Sequence, residues 1–194
     1  MIKGAIDAAA LRLGFDVFLG MDVAAGTLLN EGKYRIKDKT SALSASDLIA
    51  FYQTLNNQYD LLYLEDGLSE DDLDGWAQLC SKLSQKTLIV GDDLIATNPY
   101  RLQAALDKKA VTGIVIKPNQ IGTVIETLAV VEMARQAGLK ITVSHRSGET
   151  NDDFIADFAV AVSADYTKFG APARGERVAK YNRLLEINKQ IKTL

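Results

Sequence analysis

Each of six short apolar runs ends in a charged or polar cluster: Asp22 follows FLGM, Glu65 and Asp66 follow LLYL, and Asp92 and Asp93 follow LIVG. Lys117 follows GIVI, His145 and Arg146 follow ITVS, and Lys168 follows DYT. Asp22, Glu65 and Asp92 offer carboxylate oxygens, which suit a hard cation such as Mg²⁺. A softer metal would prefer histidine or cysteine, and the chain has one of each. A single aspartate in such a place commonly ends a strand or caps the next helix. Acids at equivalent places after three successive runs point instead to a shared ion.

The later clusters are cationic. A lysine such as Lys117 becomes a general base only if its pKa falls, and a neighbouring metal ion and a second ammonium, here Lys168, would have that effect. Taken singly, each lysine is more commonly a solvated charge. His145, Arg146 and Ser147, followed by Gly148, put cationic and hydroxyl donors beside a turn, which suits a clamp for phosphate or carboxylate.

These clusters need elements that bring them to one place. The apolar runs have the character of buried parallel strands. Between them, 44–55, 70–83, 98–107, 123–137 and 152–162 carry apolar residues at helical spacing, with Ser46, Ser69 and Asn98 as capping residues. Pro99 suits a first helical position, and Gly138 suits a helix stop. In 26–38, Asn30, Glu31 and Gly32 read as a small hairpin turn. Strand alternating with helix predicts an α/β fold with a parallel sheet, either closed as a (β/α) barrel or left open. In a barrel the C-terminal strand ends share one rim, which would gather the clusters. About six strands are legible, against eight in a complete barrel. With no linker or repeat, 1–194 reads as a single domain.

Composition narrows the functional classes. A formal charge of −3, with no cluster of Lys and Arg, leaves no footprint for nucleic acid. Cys80 excludes an intrachain disulfide and falls at an apolar position near Trp76 and Leu83, as core packing would. The opening stretch is interrupted by Lys3, Asp7 and Arg12, unlike a signal peptide, and no run approaches the roughly 20 apolar residues of a membrane span. The expectation is a cytoplasmic protein with neither a membrane nor a nucleic-acid partner.

The stretches GMDVAA (20–25), GDDL (91–94), KPNQIGTVIET (117–127), SHRSGET (144–150) and KFGAPARGERVAKYNRLL (168–185) resemble enolase motifs in order and spacing. SHRSGET and NQIGT are the most specific, and the similarity runs from about residue 14 to 187. The resemblance implies a partial (β/α)8 barrel of the enolase C-terminal kind. It also implies a lyase converting 2-phosphoglycerate to phosphoenolpyruvate in glycolysis with Mg²⁺, whose substrate is a small phosphorylated carboxylate. By the same resemblance Asp22, Glu65 and Asp92 match the metal ligands, and Lys117 matches the base at C2. His145 matches a substrate-site histidine, Arg146 and Ser147 match phosphate contacts, and Lys168 matches a contact to the substrate carboxylate.

Two positions depart from the family pattern: Gly67 stands where proline usually follows Glu-Asp, and Pro118 follows Lys117. Glycine would widen the backbone options of the loop. Nothing here corresponds to the family's N-terminal domain, its first two barrel strands or its general acid. The sequence is therefore compatible with a domain of a longer enolase, with half of a split enzyme completed by a complementary fragment, or with a shortened homologue. An uncovered sheet edge would favour self-association or such a fragment. A second reading is a non-catalytic protein that keeps Mg²⁺ and phosphate-ligand binding or serves in assembly.

Overall fold

The computed structural model describes residues 1–193. The chain forms two compact units, one of 1–95 with 103–112 and the other of 96–102 with 113–194. Each is built on three parallel strands, so the expected six are present.

The first unit contains α1 (Ile2–Ala8), β1 (Leu19–Asp22), a 3₁₀ turn (Ala25–Leu28), the hairpin of β2 (Leu29–Asn30) and β3 (Lys33–Tyr34), α2 (Ala45–Tyr59), β4 (Leu61–Glu65), α3 (Leu73–Leu83) and β5 (Leu88–Gly91). The hairpin falls where the Asn30–Gly32 turn was expected, and Glu31 and Gly32 take φ of 50° and 74°, as a tight two-residue turn requires. β1 and β5 flank β4 in parallel. The register sets Asp22 level with Glu65, and Glu65 level with Val90. Asp92 lies two residues beyond Val90, the period that returns an extended chain to the same face.

After β4 the chain passes through a buried polar loop. Tyr52 of α2 donates to the carbonyl of Gly67 at 2.9 Å, Trp76 of α3 donates from Nε1 to the carbonyl of Ser69 at 3.0 Å, and the Ser69 N–H donates to the Tyr34 hydroxyl at 3.0 Å. Two helices and the hairpin thus satisfy backbone groups that burial would otherwise leave costly. Gly67 serves here by its size: an added Cβ would lie 3.0 Å from Leu79 Cδ2, and its φ is outside the left-handed region. The expected gain in backbone freedom is therefore not what glycine supplies.

The helix starts differ from expectation in two places. Ser44, not Ser46, caps α2 in a reciprocal box with Asp47, because Ser44 is the residue with extended backbone ahead of the first turn. Asp72, not Ser69, caps α3, because it directly precedes the first helical residue and its Oδ1 accepts the Gly75 N–H at 2.9 Å. Asn98 behaves as expected, its Oδ1 accepting from the N–H groups of Tyr100 and Arg101 ahead of α4 (Pro99–Asp107). Cys80 is buried, as read.

The second unit contains β6 (Gly113–Ile116), α5 (Pro118–Ile121), α6 (Val124–Gln136), β7 (Lys140–Ser144), α7 (Phe154–Ala161), β8 (Tyr166–Lys168) and α8 (Gly175–Ile191). Thr123 caps α6, and Gly138 follows it with φ of 74°. Pro118 opens α5, where its missing N–H has no partner to lose. α1, α5 and α8 were not foreseen. α8 buries only Lys180 and Ile187, so its sequence carries little apolar period. No helix among the described residues is long and apolar enough to cross a membrane.

Replacing Tyr52 with Phe strands the buried Gly67 carbonyl, and the expected cost is about 1–3 kcal/mol. Urea unfolding followed by circular dichroism measures it; an unchanged midpoint would show that the hydroxyl does not hold the loop.

Candidate active site

In the first unit, the strand register brings Asp22 and Glu65 to neighbouring strand ends. Glu65 is fully buried and accepts a hydrogen bond from the Tyr63 hydroxyl at 2.8 Å. Asp92 is buried and Asp22 exposed. The acidic group that lies close enough for one ion combines Asp92 with two cluster residues not chosen as ligands from sequence: Asp66, Asp92 and Asp93 each bring a carboxylate oxygen within 4.8 Å of the others. All the donors in these sets are hard oxygens, the chemistry that a divalent cation of the magnesium type requires.

Asp66 organises this end of the unit. Its Oδ1 accepts the Asp92 N–H at 2.9 Å and its Oδ2 accepts the Asp93 N–H at 2.8 Å. Its own N–H donates to the Val90 carbonyl at 3.1 Å, and its carbonyl accepts from Ala25 at 2.9 Å. One residue, held at φ of 44°, therefore ties the segments after β1, β4 and β5 together. Burial pushes its carboxyl up to about 6; the Asp93 and Asp92 N–H groups oppose that rise and the Asp92 and Asp93 carboxylates add to it. The Glu65-Asp66 pair was visible in the sequence, but nothing in apolar periodicity shows which of the two acids braces the backbone.

In the second unit, Ile116 is level with Val143, Val143 with Thr167, and Ser144 with Lys168. Lys117 follows Ile116 and so reaches the same row as Ser144 and Lys168. Strands two apart in a sheet are separated by about 10 Å, a span that two lysine side chains can share around one small anion. The Lys117 N–H donates to Thr97 Oγ1 at 3.0 Å, and that hydroxyl donates to Gln120 Oε1 at 2.8 Å. Thr97 is fully buried with φ of 53°, and sequence pattern did not reveal its hold on the Lys117 backbone.

His145, Arg146, Gly148 and Glu149 line a cavity of about 300 Å³ in this unit; Ser147 lies between them on the exposed turn. The His145 N–H donates to the Lys168 carbonyl at 3.1 Å, and the Ser144 hydroxyl donates to the His145 carbonyl at 2.8 Å. The His145 ring meets Phe169 edge-on at 6.4 Å between centroids. Its Nδ1 is buried without a hydrogen-bond partner among the described residues, which leaves a polar atom available to a ligand. Burial holds the imidazole below its ordinary pKa; Glu149 opposes this, while Arg177, Lys180 and Lys168 reinforce it.

Parallel strands joined by helices, with acids at the strand ends of one unit and cations at those of the other, define the class: an α/β barrel-type domain that carries its charged clusters at the C-terminal ends of its strands. Residues 1–193 match the family described as "Enolase, C-terminal TIM barrel domain". The chain is 50% identical over 183 residues to the enolase of Aeropyrum pernix, covering 94% of this chain and 42% of that protein. It is 46% identical over 191 residues to the enolase of Sulfurimonas denitrificans, and 46% over 192 residues to that of Helicobacter pylori strain HPAG1, each alignment covering 98% of this chain and 45% of the relative. The chain belongs to the enolase C-terminal barrel family. Its six strands are part of that family's (β/α)8 barrel, and it spans less than half the length of these relatives.

The histidine shift has a direct check, because the chain has one histidine. Proton NMR titration of His145 is expected to give a midpoint below the ordinary 6.5. Since the folded state disfavours the imidazolium, the stability involved is present above the unfolded value and is lost as pH falls through the lower folded one. A midpoint at or above 6.5 would contradict the buried, cation-flanked environment.

Proposed function

We propose that the chain provides the metal and substrate site of an enolase-type lyase that interconverts 2-phosphoglycerate and phosphoenolpyruvate. In this reading Asp22, Glu65 and Asp92 hold Mg²⁺, with Asp66 bracing the backbone of Asp92. Lys117 is the base, and His145, Arg146, Ser147 and Lys168 hold the substrate. The observation that carries it is the strand register, which aligns Asp22 with Glu65 and Ser144 with Lys168 in a chain of this family.

The chemistry follows from the residue types. Lys117, as the neutral amine, takes the proton from C2 at Nζ, and Thr97 fixes the backbone from which it extends. Negative charge then develops on the neighbouring carboxylate, where the Lys168 ammonium counters it. Bound Mg²⁺ supplies further neutralisation of those oxygens. Arg146 and Ser147 hold the phosphate, the guanidinium through paired charge-assisted bonds. The proton for the departing C3 hydroxyl comes from a complementary enolase segment, in a longer chain or as a partner. Cytoplasmic location accompanies this role.

The test is to mix the chain with a polypeptide carrying the part of an enolase that it does not align with, and to follow phosphoenolpyruvate formation. Magnesium-dependent turnover abolished by chelator is expected. Lys117→Met should lower it by about 10²–10⁴-fold, and Asp66→Ala should weaken magnesium affinity by about 10–100-fold, as loss of a ligand's support does. Phosphoglycerate binding without turnover in any such mixture would favour the binding-protein reading instead.

A further inference from the structure

One of the helices that sequence pattern failed to reveal, α8, carries the most deeply buried cation among the described residues. Lys180 of α8 has no exposed surface, and its ammonium donates to Glu149 Oε2 at 2.8 Å and to the Thr150 carbonyl at 2.7 Å. The other oxygen of the same carboxylate, Oε1, accepts the backbone N–H of Arg146 at 2.9 Å. Burial would raise the Glu149 carboxyl, but Lys180 and the Arg146 N–H outweigh it and hold the group below its ordinary value, so it stays ionised.

A buried ion pair is a poor way to gain stability, because desolvation consumes most of the attraction and an apolar pair often does as well. Its distinctive product is geometry: a carboxylate fixed by an ammonium on one side presents its second oxygen in one direction. Here that oxygen receives Arg146, while the adjoining His145 N–H is held by the Lys168 carbonyl on β8. The 145–146 backbone is thus fastened from two elements, while Arg146 lines the cavity and Ser147 stays on the exposed turn beside it. Tyr181, next to Lys180 on α8, donates to the Gly170 carbonyl and stacks edge-on with Phe169, which fixes the helix to the segment after β8.

We infer that Lys180, acting through Glu149, is the positioning residue that sets the turn at 145–148 in the shape that binds the substrate's anionic group. The inference deepens the proposed reading of His145, Arg146 and Ser147 as substrate contacts and rests on it for the identity of the anion.

The experiment uses the whole chain in three variants, Lys180→Met, Glu149→Gln and the pair combined, in magnesium-containing buffer. Amide hydrogen exchange of Arg146 by NMR reads the brace, and titration with 2-phosphoglycerate and with inorganic phosphate, followed at the His145 ring, reads the affinity. Each single variant is expected to speed Arg146 exchange by about tenfold or more while the amides of β7 keep their protection. Each is also expected to weaken phosphoglycerate binding by about tenfold or more, as misplaced binding groups do, and the combined variant to be no weaker than either single one. If Lys180→Met does not fold, Glu149→Gln, of equal size, carries both readouts. Unchanged Arg146 exchange in a folded variant, unchanged affinity, or additive losses in the pair would each overturn the inference. If the unaltered chain binds no phosphoglycerate, the proposed function fails, and Arg146 exchange alone decides whether Lys180 sets the turn.

Discussion

Parallel strand pairing is the constraint on which the rest depends. It brings residues far apart in sequence to the same level, so that Asp22 meets Glu65 in one unit and Ser144 meets Lys168 in the other. A one-residue slip in either pairing would turn a strand's side chains to the opposite face and disperse the groups that chemistry requires. The buried cores of Leu64, Ile89 and Val90 in the first unit, and of Ile114, Val115, Ile141 and Val143 in the second, make such a slip costly.

Register alone does not hold the loops beyond the strand ends, and polar side chains turned inward serve that purpose in both units. Asp66 accepts from two successive backbone N–H groups and so fixes the chain at Asp92. Thr97 receives the N–H of Lys117 and is itself oriented by Gln120. The carboxylate of Glu149, gripped by Lys180, does the same for Arg146. The pattern suits a site whose reacting groups must extend from fixed backbone, because a supporting shell left loose would misplace them.

The alternation of apolar runs and amphipathic stretches made the strands, most of the helices and the strand-end clusters legible, because burial imposes a period that sequence displays directly. The braces were not legible for the same reason. Asp66 and Thr97 are single polar residues whose partners lie in other segments, and α8 presents only Lys180 and Ile187 to the interior, one of them a cation. The caps were misplaced by a few residues because Ser46 and Ser69 have the right chemistry, while backbone conformation decides which neighbour does the capping. At Gly67 the residue type was a visible departure, but its meaning, close approach to Leu79, emerges only from packing. The specific motifs, SHRSGET above all, supplied the family, which periodicity could not have done.

Under the proposed function the acids and the cations serve one bound ligand, so magnesium and phosphoglycerate must bind with linked affinities. Isothermal titration of the chain with 2-phosphoglycerate, with and without magnesium, compares the unaltered protein with Asp92→Ala. Magnesium is expected to strengthen phosphoglycerate binding, phosphoglycerate to strengthen magnesium binding by the same factor, and both effects to vanish in Asp92→Ala. Phosphoglycerate affinity indifferent to magnesium, or a coupling that survives the loss of Asp92, would contradict the proposed function.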